Sequence, residues 1–184
     1  VTVTVTGKGN YSGKVQRKYH ITKAPLTVTT EGATRAYNGQ PLTAPGTVTG
    51  FVEGENAELQ VTGKQTDVGS SKNTYNIVWT ETTKADNYQV SDTVGTLTVT
   101  AQSIKDSEKI TVGTLSNVVY TGKKQEQEPA VTTQDGKTKL VKGTDYTLSY
   151  SEDTKNVGEV TVTVTGKGNY SGKVQRKYHI TKAP

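Results

Sequence analysis

Residues 1–25 read VTVTVTGKGNYSGKVQRKYHITKAP, and residues 160–184 read the same, without one difference. Val1 recurs as Val160, an offset of 159 residues. Diverged copies of an old domain would have gathered substitutions first at surface threonines and lysines, where change costs little. Complete identity points instead to one window of an array of near-identical repeats, or to a built duplication. On this reading the chain opens in the tail of one repeat and closes in the tail of the next. Within the stretch Val1, Val3 and Val5 alternate with Thr2, Thr4 and Thr6, so one face of a strand is apolar and the other meets water. Gly7, Gly9, Asn10 and Gly13 then supply turn conformations. Alternation resumes with Val15, Arg17, Tyr19 and Ile21 on one face and Lys14, Gln16, Lys18 and His20 on the other. The stretch is a hairpin with a long loop.

Composition agrees with a β protein. The apolar fraction is 30%, and 19 glycines add to it. Threonine, valine and tyrosine are frequent, Phe51 and Trp79 stand alone in their types, and methionine is absent. β-branched and tyrosine side chains suit a half-buried pleated surface. With no cysteine there is no disulfide, zinc–thiolate site or thiol nucleophile. No run is long and apolar enough to span a bilayer, so no membrane contact is expected. The net charge of +5 suggests nucleic acid until it is located. Each copy of the repeated stretch carries five cations and no acid, which leaves residues 26–159 at −5. One full period, residues 26–184, is neutral. The basic excess comes from counting one tail twice, and nucleic acid is not an expected partner.

Along the chain, Lys23-Ala24-Pro25 breaks the hairpin and leads to a strand starting at Leu26. Short strands come next near 35–37 and 47–51, then ELQVTG, TYNIVWT, NYQV and GTLTVT, each closed by turn residues. A second junction lies at Val99–Ser103. Beyond it SEKITVG, SNVVYTG, PAVTT, DYTLSYS and GEVTVTVTG lead back into the repeated strand. The only helical candidates, Glu53–Leu59 and Ser103–Lys109, lack length and periodicity. A fainter repeat relates 26–100 to 101–182. Tyr37-Asn38-Gly39-Gln40 answers Tyr120-Thr121-Gly122-Lys123, Asp67-Val68-Gly69 answers Asn156-Val157-Gly158, and Asn87-Tyr88 answers Asn169-Tyr170. The organisation expected is residues 1–23 as the C-terminal hairpin of a preceding, truncated repeat, residues 24–100 as one β module, and residues 101–184 as a second. The fold class is mainly β, with tandem small antiparallel β modules. Either an immunoglobulin-like sandwich or a β-grasp arrangement fits the strand spacing.

These landmarks resemble known repeats. VVYTGKKQEQEPAVTT with KGTDYTLSYSEDTKNVGEVTVTVTGKGNYSGKVQRKYHI looks like the tandem immunoglobulin-like repeats of Gram-positive surface proteins. PLTVTTEGATRAYNGQPLTAPGTVTGFVEGE with ADNYQV is similar to MBG-type repeats, which accompany mucus-binding modules in bacterial adhesins; the family's opening Tyr-Gly appears as Tyr37-Asn38-Gly39. The two resemblances cover nearly the whole chain. They imply an extracellular, cell-wall-attached stalk or adhesin, and they carry over no catalytic residue. They also make an internal Lys–Asn or Thr–Gln crosslink conceivable, which a mass lower by one ammonia per bond would reveal.

Candidate chemistry is sparse. His20 and His179 are one position seen twice, beside lysines on the solvent face, and read as solvated strand residues rather than metal ligands. The Gly-Lys-Gly of the loop runs into a strand, not a helix, so it is turn geometry and not a phosphate cradle. Glu152-Asp153 and Asp135-Gly136 would hold calcium only if further oxygens converged. No acid–base pair accompanies the serines and threonines, so no enzyme activity, catalytic residue, metal or cofactor is expected. Tyr11, Tyr88 and Tyr170 precede the last strand of their modules and are the candidate ligand-contact residues, able to stack on a sugar or a protein. Their recurrence at one place in both module types favours pinning of the hairpin over ligand contact.

Short linkers such as Lys23-Ala24-Pro25 restrict rotation between modules and would give a semi-rigid, elongated rod. The expected role is a structural spacer that lifts a binding head from the cell wall. The alternative is a module that itself binds host mucin, glycan or matrix protein. Expected partners are neighbouring repeats of the same protein. Residues 1–23 have an apolar face and no sheet of their own to cover it. They are expected to dock on the 26–100 module or to pair with another molecule in a strand-swapped contact.

Overall fold

Where the sequence alternates Val/Thr or Val/Tyr, the chain is extended, and the computed structural model, which describes Val1–Pro184, contains eighteen strands and no α-helix. They are β1 (Thr2–Thr6), β2 (Lys14–Lys18), β3 (Ala24–Thr30), β4 (Ala33–Ala36), β5 (Gly46–Thr49) and β6 (Ala57–Val61). Next come β7 (Gly69–Lys72), β8 (Tyr75–Trp79), β9 (Tyr88–Val94), β10 (Thr96–Thr100), β11 (Gln102–Ser103) and β12 (Ile110–Val112). The last six are β13 (Val118–Val119), β14 (Val131–Thr133), β15 (Tyr146–Tyr150), β16 (Gly158–Gly166), β17 (Tyr170–Ser171) and β18 (Lys173–Thr181). Neither helical candidate forms a helix. Ala57–Val61 is the strand β6, and 104–109 is a set of turns in which Asp106 O accepts from both Lys109 and Ile110 N–H. The one helical turn is 3-10, at Ala85–Asn87.

The chain divides into two compact units. The first holds Val1–Glu31, Ala44–Thr62 and Asn73–Gly95. It contains the β1–β2 hairpin, a three-stranded sheet in the order β5-β3-β9, and the β6–β8 hairpin. Leu26 and Val28 on β3 are its fully buried aliphatics. Phe51, Trp79 and Tyr88 stand together, with Trp79 stacked on Tyr88 at 5.7 Å and Phe51 edge-on to Tyr88 at 5.5 Å. Such aromatic pairs add about 0.5–1.5 kcal/mol beyond the area they bury. The second unit holds Gly32–Thr43, Gly63–Lys72 and Thr96–Pro184. Its sheets are β4-β10-β7, β13-β18-β16-β15 and the pairs β11-β17 and β12-β14. One buried cluster joins Ile104, Ile110, Val112, Val131, Leu140, Tyr146 and Val164; another joins Val160, Val162, Tyr178 and Ile180. Strand β16 therefore serves both clusters with alternate residues, as its Val/Thr alternation requires.

The small β modules also contain parallel pairs, which alternation alone does not distinguish from antiparallel ones. In each half of the chain an early strand lies parallel to the strand that begins at the Asn-Tyr landmark. Ala24 faces Tyr88 in one half and Gln102 faces Tyr170 in the other. The strand before each Tyr-x-Gly turn likewise lies parallel to a final strand: β4 beside β10, and β13 beside β18. Tyr37 N–H donates to Thr100 O at 2.8 Å, and Tyr120 N–H to Thr181 O at 2.9 Å. The fainter repeat is thus one of topology as well as of residues.

Two local expectations change. Ala24 and Pro25 do not form a free linker but open β3, opposite Tyr88 and Gln89. Proline is tolerated there because the first residue or two of a strand need donate no ladder bond. Docking of residues 1–23 on the 26–100 module does not occur either: every residue of β1 and β2 is exposed. In the second copy the sheet is extended at its edges by β15 and β13, and Ile110, Val112, Val131 and Leu140 pack with Val164; none of these has a counterpart beside the first.

Candidate functional site

The Tyr37-Asn38-Gly39 turn comes directly after β4 and is held on all sides. Gly39 takes a positive φ of 77°, which the asparagine before it helps to set by accepting Gln40 N–H on Oδ1 at 3.0 Å. Arg35 Nη2 donates to Gln40 O at 2.6 Å and closes the turn. The Tyr37 ring then meets Tyr170 edge-on, with centroids 5.5 Å apart and planes at 79°. Beside this contact Asn169 spends its amide on the 67–68 turn. Its Nδ2 donates to Asp67 Oδ1 at 2.9 Å, and its Oδ1 accepts Val68 N–H at 2.8 Å. Residues from the Tyr37 half of the sequence and from the Tyr170 half are therefore joined by a ring contact and a two-point amide clasp.

A cleft of about 450 Å³ opens at this junction, with Arg35, Tyr37, Gln102, Lys109, Thr138 and Tyr170 among its walls. No carboxylate lines it. The walls offer the two cations Arg35 and Lys109, the amides of Asn38 and Gln102, hydroxyls and aromatic edges. Burial, then the nearby Tyr37 and Asp145, raises the Tyr170 hydroxyl above the ordinary tyrosine value. Such walls suit contact with an anionic or hydroxyl-rich group.

The three tyrosines singled out from the sequence have three environments. Tyr88 is buried; its hydroxyl donates to Glu55 Oε2 at 2.5 Å and accepts Val52 N–H at 3.1 Å, while Trp79 and Phe51 pack on the ring. Burial is the main reason its hydroxyl titrates above the usual range, and the Glu55 hydrogen bond adds to it. Tyr170 is half-buried against Tyr37. Tyr11, the same residue in the first copy, is 81% exposed. The structure does not bring the three together.

The acidic turns use their carboxylates locally. Asp153 accepts N–H groups from Lys155 and Asn156 and the Asn156 amide, and Asp135 accepts from Thr133 Oγ1 and Lys137 N–H. These hydrogen bonds, with the Asn156 N–H foremost for Asp153 and the Thr133 hydroxyl foremost for Asp135, hold both below the usual aspartate value. No three His, Cys, Asp or Glu residues converge anywhere in the chain. His179 lies opposite Glu159 across the β16–β18 pair, with Nε2 3.9 Å from the carboxylate, a cross-strand neighbour that its sequence surroundings did not reveal.

Asn73 has no mark in the sequence, where it looks like an ordinary turn residue. It is fully buried, donates through Nδ2 to Glu31 O and Ala44 O at 3.0 Å each, and leaves its Oδ1 without a partner. Its backbone N–H donates to Gly95 O. One side chain thus ties together three segments of the first unit.

A search of curated proteins finds no match to the chain. Residues 26–98, however, match the family model described as MBG domain (YGX type), and Tyr37-Asn38-Gly39 forms a turn within the matched segment.

Proposed function

We propose that the chain is a length of spacer from an adhesin on a Gram-positive cell wall, in which MBG-type and immunoglobulin-like modules succeed one another and raise a binding domain above the envelope. The observation that carries this reading is the junction. Strand β10 ends at Thr100 and β11 begins at Gln102, so one residue separates the last strand of the MBG-type segment from the first strand of the C-terminal half. The Tyr37–Tyr170 contact and the Asn169 clasp then bind the two across that step. A connection so short and so fastened resists bending, as a spacer must. Modules of this kind would each add about 30–40 Å if their strands run along the rod. The location outside the cell, the partnership with further repeats and the period as a unit of length are parts of the same proposal.

Small-angle scattering on chains with one, two and three 159-residue periods tests it. A maximum dimension that grows in proportion to the period number supports the spacer. A dimension that levels off contradicts it. The second reading, an adhesive module, draws on the cleft at the junction, whose cationic and aromatic walls suit an acidic glycan. A glycan array probed with the purified chain decides between them. Specific binding that disappears in Tyr37→Ala and Lys109→Ala, while Tyr11→Ala retains it, would favour adhesion through this cleft.

A further inference from the structure

The turns that follow β4 and β13 are one turn with a single chemical change. Tyr37-Asn38-Gly39 and Tyr120-Thr121-Gly122 each open on a tyrosine whose N–H donates to a final strand. Each ends on a glycine of positive φ, 77° at Gly39 and 73° at Gly122. The tyrosine hydroxyl lies over the glycine in both, 4.0 Å and 3.9 Å from where a Cβ would stand. The middle residue differs: Thr121 carries a hydroxyl where Asn38 carries a carboxamide. Asn38 is the one asparagine in the chain that glycine follows. It is exposed, and its Oδ1 accepts Gln40 N–H at 3.0 Å. Its Nδ2 and the Gly39 N–H have no hydrogen-bond partner in the chain.

We infer that Asn38 is a site of spontaneous covalent modification, at which the Gly39 backbone nitrogen displaces ammonia from the Asn38 carboxamide. Glycine is what the step requires, because without a Cβ nothing at residue 39 shields the nitrogen as it closes on Cγ. Solvent takes the Gly39 amide proton, the nitrogen adds to Asn38 Cγ, and the displaced electron pair settles on Oδ1. Gln40 N–H already points at that oxygen and stabilises the charge, as a donor aimed at a developing oxyanion does. Nδ2, held by no acceptor, takes a proton from water and leaves as ammonia, which completes a succinimide ring. Water then opens the ring. Addition at Cγ leaves aspartate, and addition at the backbone carbonyl carbon leaves isoaspartate, with an extra carbon in the main chain. The aspartate still accepts Gln40 N–H, whereas the isoaspartate lengthens the turn that Arg35 closes on Gln40 O. Either product places a carboxylate in a cleft that had none, on walls shared with Arg35 and Lys109, and the attraction of those walls for an anionic group falls. On its other side Asn38 borders a recess with Glu108 and Asp135, so the new charge also meets those acids. The chemistry belongs to the turn alone, independent of the spacer reading and of any ligand in the cleft.

Incubation of the full chain at neutral pH tests it, with samples taken over time, digested and read by mass spectrometry, and isoaspartate counted by enzymatic methyl labelling. The expected result is conversion of Asn38 to aspartate and isoaspartate ahead of every other asparagine. Its rate in the folded chain should equal or exceed that in the same chain unfolded in guanidinium, where the Gln40 contact is gone. Asn38→Thr, which copies the Tyr120-Thr121-Gly122 turn, should fold and yield no isoaspartate from this turn. Slower conversion in the folded chain than in the unfolded one overturns the proposal, and so does another asparagine converting first. An Asn38→Thr chain that releases ammonia as fast as its parent overturns it as well, because that ammonia has another source.

Discussion

Strand β18 runs for nine residues, Lys173–Thr181, whereas β2 stops after five, at Lys18, although both are cut from the same sequence. The segment Tyr-His-Ile-Thr is extended in the second copy because Gly158 and Glu159 of β16 pair with Ile180 and His179 on one side and β13 pairs Val118 with Ile180 and Val119 with Thr181 on the other. His179 N–H also finds Asn117 Oδ1 at 2.8 Å. In the first copy no strand supplies those partners. The comparison separates the properties a hairpin owes to itself from those it owes to its neighbours. Turn geometry, register and the first five strand residues are its own. Strand length, burial and the use of its inward arginine are given by the body it sits on.

Matched substitutions in the two copies sharpen that division. The largest difference is expected for tyrosine. Tyr178 is buried among Val160, Val162 and Ile180, and its hydroxyl donates to Gln125 O, so Tyr178→Ala should cost the second unit about 3–5 kcal/mol in denaturant unfolding. Tyr19→Ala should stay within about 0.5 kcal/mol. Equal effects would mean that the first hairpin also carries a core. Arginine comes next. Arg176 donates from Nε and Nη2 to Val112 O, at 3.1 and 2.7 Å, and also to Gly113 O. Arg176→Ala should therefore cost about 2 kcal/mol, against a negligible effect for Arg17→Ala, whose guanidinium reaches only its neighbour's carbonyl, Gln16 O. Asn169→Ala should cost about 1 kcal/mol by releasing the 67–68 turn, and Asn10→Ala nothing measurable by the same melt.

The smallest expected effect is one of pH. The Lys177 ammonium, donating to Glu159 at 2.7 Å, holds that carboxyl below the ordinary glutamate value of 4.5, and His179 adds slightly. A depressed folded value means that the stabilisation is present above about pH 4.5 and is lost as pH falls through the folded value. Both partners are well exposed, so the melting temperature of the second unit should fall only slightly over this window. Glu159→Gln should reduce the slope, leaving the part due to Asp135 and Asp153, whose carboxyls are also held below their usual value. A melting temperature that rises on acidification would contradict the assigned sign.

Much of this was legible in the chain itself. Alternation placed Val1, Val3 and Val5, and equally Val160, Val162 and Val164, on one inward-capable face, and the landmarks Tyr37, Tyr120, Tyr88 and Tyr170 marked equivalent points of two related halves. Whether an inward face meets a core was not legible, because that depends on strands far away in sequence, such as β15 and β13. The same reason hid the parallel pairs. Ala24 pairs with Tyr88 across more than sixty intervening residues, and no local pattern reports so distant a neighbour. Tyr88 was recognisable as a landmark, yet its burial depends on Phe51 and Trp79, which arrive from elsewhere in the chain. Asn73 carried no local sign that its side chain bridges Glu31 and Ala44. The Tyr37–Tyr170 contact joined two residues already singled out, but their meeting needed the fold.

Amide hydrogen exchange monitored by NMR at low protein concentration tests the central claim most directly, because identical residues in different surroundings give separate resonances. The account predicts two sets of signals for the repeated stretch. The set from residues 160–181 should exchange at rates set by unfolding of the second unit, and the set from residues 2–18 should exchange several orders of magnitude faster, near the limit for an open hairpin. A single set, or two sets with equal protection in the monomer, would contradict it.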